Sequence, residues 1–109
     1  MGLFTSRKQR QELEAREAEA VAARTNADAA AQARRNREDA WRRDRHDVLQ
    51  RLHRARRAHG QAKTLYDRYA PGPQKNAAAA QLNAAADHLA SLEREFAAVD
   101  SFSTWSKSH

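Results

Sequence analysis

The sequence predicts an all-α fold: an antiparallel two-helix hairpin, coiled-coil-like, with a long N-terminal helical extension. Three observations predict it. Between Ser6 and Tyr69 there is no proline and a single glycine, Gly60, and Ala, Arg, Glu and Gln dominate; these residues lose least on entering a helix. The run Ala70-Pro71-Gly72-Pro73 then breaks the helix, because proline disfavours helical angles at the residue before it and glycine admits angles that other residues avoid. Beyond the break, Ala78, Leu82, Ala85, Leu89, Leu92, Phe96 and Val99 recur at alternating steps of four and three, the spacing that lays one apolar stripe against a partner helix.

The first helix should start near Ser6, which with Gln9 three residues later forms a capping box. Two later sites could interrupt it. Thr25 or Asn26 could cap a new helix, and Gly60 follows Arg56, Arg57 and His59 in the manner of a helix C-terminus. The apolar rhythm argues against both. Trp41, Val48, Leu52, Ala55, His59, Ala62, Tyr66 and Tyr69 follow steps of three, four or seven, and Gly60 falls outside that rhythm, facing outward. Its cost of roughly 1 kcal/mol relative to alanine is tolerable.

Pro73 suits the first turn of the second helix, where its missing N–H is no loss. That helix should run to about Val99 or Ser101. A short turn makes the two helices antiparallel neighbours, with Phe96 and Val99 near Trp41 and Val48, and Leu82 near Ala62 and Tyr66. The expected segments are a tail over 1–5, a charged, alanine-rich helical arm over 6–40, the hairpin over 41–100 with its turn at 70–73, and a Ser-rich tail over 101–109. Along the arm the seam positions become Leu13, Glu17, Ala20, Arg24, Ala27, Ala31, Arg34 and Glu38, so the apolar stripe fades. A stripe of small residues from Ala15 to Ala40 replaces it.

Composition agrees with helices rather than a globular core. Hydrophobic residues make up 40% of the 109 residues, but alanine supplies most of these and buries little area. There is no cysteine, hence neither disulfide nor thiolate metal site. No apolar run is long enough to span a membrane. Residues Met1–Ser6 are too short and polar for a secretory signal. They fit the loose N-myristoylation pattern through Gly2 and Ser6, which matters only in a eukaryote. Arginine dominates over lysine and alanine is abundant, a usage that suggests a GC-rich bacterium, phage or plasmid.

The formal net charge is +6. Arg34 to Arg57 holds ten arginines against Glu38, Asp39, Asp44 and Asp47, so this stretch carries the whole excess. Arg35, Asp39, Arg43, Asp47 and Arg51 form an i,i+4 ladder of alternating sign, and Arg34, Glu38 and Arg42 form a second; each such pair adds about 0.2–0.5 kcal/mol to an isolated helix. Such ladders make a self-supporting charged helix. Arg37, Arg45, Arg54, Arg56 and Arg57 stand outside them and are the candidate polyanion contacts. Aromatic residues hardly interleave, which argues against stacking on single strands.

Asn26, Ala29, Ala30, Ala33 and Arg34 stand at spacings that resemble the basic region of bZIP factors. The arginines that pattern needs between Asn26 and Arg34 are missing, and Trp41, Val48, Ala55 and Ala62 stand where zipper leucines would recur. The resemblance is therefore set aside.

No His-x-x-x-His or Glu-x-x-His spacing occurs, so no metal site is expected, and no cofactor. No Gly-rich phosphate loop or nucleophile elbow occurs, and a two-helix hairpin offers no enclosed pocket for a small-molecule substrate. Catalysis is not expected. Phe102 and Trp105 in the C-terminal tail are possible docking anchors, or Trp105 folds back near Trp41.

The leading expectation is a non-enzymatic structural or assembly protein acting by helix–helix association. It would be a homo-oligomer or bind a helical partner, and be cytoplasmic or, if phage-encoded, virion-associated. The alternative is a basic helix binding nucleic acid through Arg34 to Arg57. Contact with an anionic membrane surface through Leu3, Phe4, Arg7, Lys8 and Arg10 is a third, weaker reading.

Overall fold

A computed structural model describes residues 6–109. The tail over 1–5, with Gly2, Leu3 and Phe4, lies outside the described residues. Three helices follow in order: α1 (Arg7–Arg68), α2 (Pro73–Val99) and α3 (Phe102–Ser106). Among the described residues all regular structure is helical, as expected of an all-α hairpin.

Ser6 starts α1. Its Oγ accepts from the Gln9 amide at 3.3 Å and its carbonyl accepts from Gln9 and Arg10, so the side chain satisfies one of the free donors of the first turn. The helix passes both Thr25 and Gly60 without a break. Thr25 Oγ1 donates to the Val21 carbonyl, and Thr64 Oγ1 to that of Gly60, the i−4 bonds by which hydroxyl side chains sit inside a helix. A Cβ placed on Gly60 would meet nothing within 4 Å.

The chain forms two compact units, residues 1–37 and 38–109. The first is described as the helical stretch from Arg7, and all its described residues are exposed except Ala31. Leu13 and Val21 are 53% and 60% exposed.

The second unit is the hairpin. The helix of residues 38–68 turns through Tyr69–Gly72 into α2. Gly72 has φ +156°, a backbone state nearly confined to glycine, and its carbonyl accepts from Asn76 to open the new helix. Pro73 takes the first helical position. The two arms run antiparallel: Trp41 meets Val99, Arg51 meets Glu95, and Lys75 lies over Tyr66. Leu52, Ala55 and Leu92 form the central core, with Leu49, Leu89 and Phe96 packed on it.

The seam residues fall on the inner side. Val48, Leu52, Ala55, Ala78 and Leu92 are buried; Trp41, His59, Ala62, Tyr66, Tyr69, Leu82, Ala85, Leu89, Phe96 and Val99 are half-buried. The half-burial follows from geometry, since two helices leave each other's flanks open to water.

The C-terminal segment differs from the Ser-rich tail expected there. After Val99 the chain turns at Ser101 and forms α3. Ser101 Oγ accepts from the Thr104 amide at 3.2 Å and contacts Thr104 Oγ1 at 2.8 Å. One turn of helix cannot hold itself together in water, and α3 is held by the packing of its aromatic side chains on α1.

Candidate interaction surfaces

Phe102 and Trp105, read from sequence as possible docking anchors or, for Trp105, as folding back near Trp41, are turned inward. Trp105 is 4% exposed. Its Nε1–H donates to Asp44 Oδ2 at 2.8 Å, and Trp41 Nε1–H donates to the Val99 carbonyl at 2.7 Å. The rings continue as a stack: Phe102 meets Trp41 edge-on at 5.9 Å, Trp105 lies on Phe102 at 5.8 Å, and His109 lies flat on Trp105 at 4.3 Å. The first two separations are in the favourable range for aromatic pairs. Burial removes Trp105 from the accessible surface, so this pair closes the open end of the hairpin instead of presenting an anchor. The Ser101-x-x-Thr104 cap spacing and the position of Asp44 were the available signals.

The charged ladders form in part. Asp47 pairs with Arg51 at 3.2 Å and Glu38 reaches Arg42 at 3.9 Å. Asp39 bonds Arg42, not Arg43, and Arg35 donates to Gln32. Other pairs cross the hairpin. Arg51 Nη2 meets Glu95 Oε1 at 3.2 Å. The hydrogen bond to Glu95 raises the Arg51 guanidinium above its ordinary pKa, the charges of Glu95 and Asp47 add to this, and partial desolvation opposes it.

The five candidate polyanion contacts divide. Arg45 is engaged in the hairpin: it pairs with Asp100 at 3.4 Å and its guanidinium lies 5.2 Å from the Phe96 ring centre. Arg37 is exposed and carries an interaction within the chain. Arg54, Arg56 and Arg57 are exposed. Of the histidines, His59 is half-buried on the seam, while His46, His53 and His88 are exposed.

Arg57, Gly60, Gln61, Thr64, Leu65 and Arg68 line an open depression on α1. Successive residues of a helix are rotated by about 100°, so these positions fall on the side of α1 away from the seam. Among the described residues no helix is long and apolar enough to cross a membrane. No protein-family model, curated protein or solved structure matches the chain.

Proposed function

We propose that this chain is a non-enzymatic structural or assembly protein that acts through helix–helix association, as a homo-oligomer or with a helical partner. It would work in the cytoplasm, or in a virion if phage-encoded. One observation carries the reading. The first unit is helical from Arg7, yet of its described residues only Ala31 is even half-buried. Most helix stability in proteins comes from packing of an apolar face, and here Leu13 and Val21 are more than half exposed. A second helix laid along residues 6–40 would cover them.

Sedimentation equilibrium of the intact protein tests the reading. The expected mass rises with concentration above the 12.3 kDa of one chain. Substituting Leu13→Glu and Val21→Glu together should shift the population toward single chains without loss of the hairpin. A monodisperse single chain at high concentration, with no helical partner retained, overturns it.

A further inference from the structure

We propose that the outer face of α1 between Arg43 and Arg68 binds the phosphate backbone of a duplex nucleic acid. The face differs from the arginine set that sequence alone suggested. Arg43, Gln50, Arg54, Arg57, Gln61 and Arg68 lie on the side of α1 turned away from α2, and all are exposed. They follow helical steps close to those of the seam but on the opposite side. Exposed His46 and His53 fall among them.

Charge is the first argument. Arg43, Arg54, Arg57 and Arg68 make no ion pair among the described residues, whereas Arg42, Arg45 and Arg51 are each spent on a carboxylate. The acids of the same stretch are paired with other groups or lie off the face. Asp44 bonds Trp105 and Asp47 pairs with Arg51, and Asp67 lies off the face. A line of cations whose neighbouring acids are paired with other groups presents a net positive potential to anions.

Shape is the second. From Arg43 to Arg68 the helix rises about 37 Å, close to one turn of duplex, and a major groove admits one helix. Gly60 lies at the edge of this face, in the depression it lines together with Arg57 and Arg68. Glycine inside a helix costs about 1 kcal/mol relative to alanine. Nothing in the hairpin requires it there, since a Cβ would have open space. Its bare backbone allows close approach from outside. Single strands are disfavoured as the ligand because they are held by stacking on aromatic rings, and Trp41, Phe102 and Trp105 are packed together at the hairpin end. An anionic membrane is disfavoured because interfacial helices bury a broad apolar face, and on this side Leu65 alone is large and apolar.

Fluorescence anisotropy of the intact protein on a labelled duplex about two turns long tests the proposal, with a single strand of equal length and anionic phosphatidylserine vesicles as competing probes. If four arginines contact phosphates, log K falls with log salt at a slope of about −3.6, a loss of about a hundredfold between 50 and 200 mM. Replacing Arg57→Gln and Arg68→Gln together should make the slope shallower by about 2. Arg94→Gln, which removes an exposed arginine from α2, should leave the slope unchanged. The circular dichroism melt of each variant should match that of the parent. Absence of duplex binding at low salt overturns the proposal, as does an unchanged slope in the double variant or tighter binding to the single strand or the vesicles. None of these results depends on the association of residues 6–40, which sedimentation reads separately.

Discussion

Trp105 and Asp44, 61 residues apart in sequence, are joined by an indole N–H to carboxylate bond of 2.8 Å. A buried indole needs a partner for its N–H, and Asp44 supplies one that is itself charged, which makes the bond stronger than a neutral pair. With the ring buried and its donor satisfied, a helix of one turn becomes a fixed part of the hairpin.

The first prediction follows from that bond. Asp44→Ala leaves a buried donor without an acceptor, a cost of about 1–3 kcal/mol. The loss is limited to the free energy that docks α3, because the hairpin core around Leu52 does not include Trp105. Hydrogen exchange should therefore show the Trp105 and Ser108 amides, which bond the carbonyls of Ser101 and Trp105, losing protection while amides near Leu52 keep theirs. Loss of protection across both long helices would mean that α3 is required for the hairpin itself.

This end of the molecule also marks where sequence reading stops. The hairpin was legible because its information is periodic: each of the steps from Trp41 to Tyr69 and from Ala78 to Val99 repeats one geometric fact. The turn was legible because Pro71, Gly72 and Pro73 restrict the backbone locally. The third helix carries no period, and what orders it is a residue on another helix. The same holds for Arg45 and Arg51. Within α1, Arg51 has Asp47 four residues before it, which sequence spacing exposes. Its bond to Glu95 and the Arg45–Asp100 pair depend on the register of two helices, which the spacing of charges along one helix does not contain. The Arg7–Arg37 stretch was legible as helix and as lacking an apolar seam, but not in what would cover it.

Core packing should be concentrated at one point. Leu52 is 1% exposed and packs in one cluster with Ala55 and Leu92, so Leu52→Ala is expected to cost about 2–5 kcal/mol. Leu65, 38% exposed on the flank beside Tyr69, Ala77 and Ala78, should lose less than Leu52 does when replaced by alanine, about 1 kcal/mol. Urea unfolding of the two variants checks the contrast, and equal losses would place the core elsewhere.

The Arg51–Glu95 pair should be visible in salt and invisible in ordinary pH. The guanidinium is raised above its ordinary pKa by Glu95. A raised pKa in the folded state contributes stability that is fully present below the unfolded value and lost only as pH rises through the folded one. For arginine both lie far above neutrality, so titration of this group leaves stability flat between about pH 7 and 10. The pair is partly exposed, and its charges are screened by added salt. A double-mutant cycle of Arg51→Gln and Glu95→Gln should give a favourable coupling that shrinks as salt is raised. A coupling insensitive to salt would point to packing of the arginine stem rather than to charge.

Two glycines of one hairpin should respond to alanine in opposite directions. Gly60 has helical neighbours on both sides and free space where a Cβ would go. Alanine there removes the entropic cost of glycine and should stabilise by about 1 kcal/mol. Gly72 also has room, its nearest Cβ neighbour being the Ala70 carbonyl at 4.0 Å. Its φ of +156° is the obstacle. Alanine at that angle is strained by about 1–3 kcal/mol, and relaxing it would turn Pro73 and the start of α2 away from Tyr69. Thermal unfolding of Gly60→Ala and Gly72→Ala should therefore give a raised and a lowered midpoint respectively. A destabilised Gly60→Ala would show that the bare backbone at residue 60 already serves a contact in the assembled protein, such as a neighbouring helix seated against it.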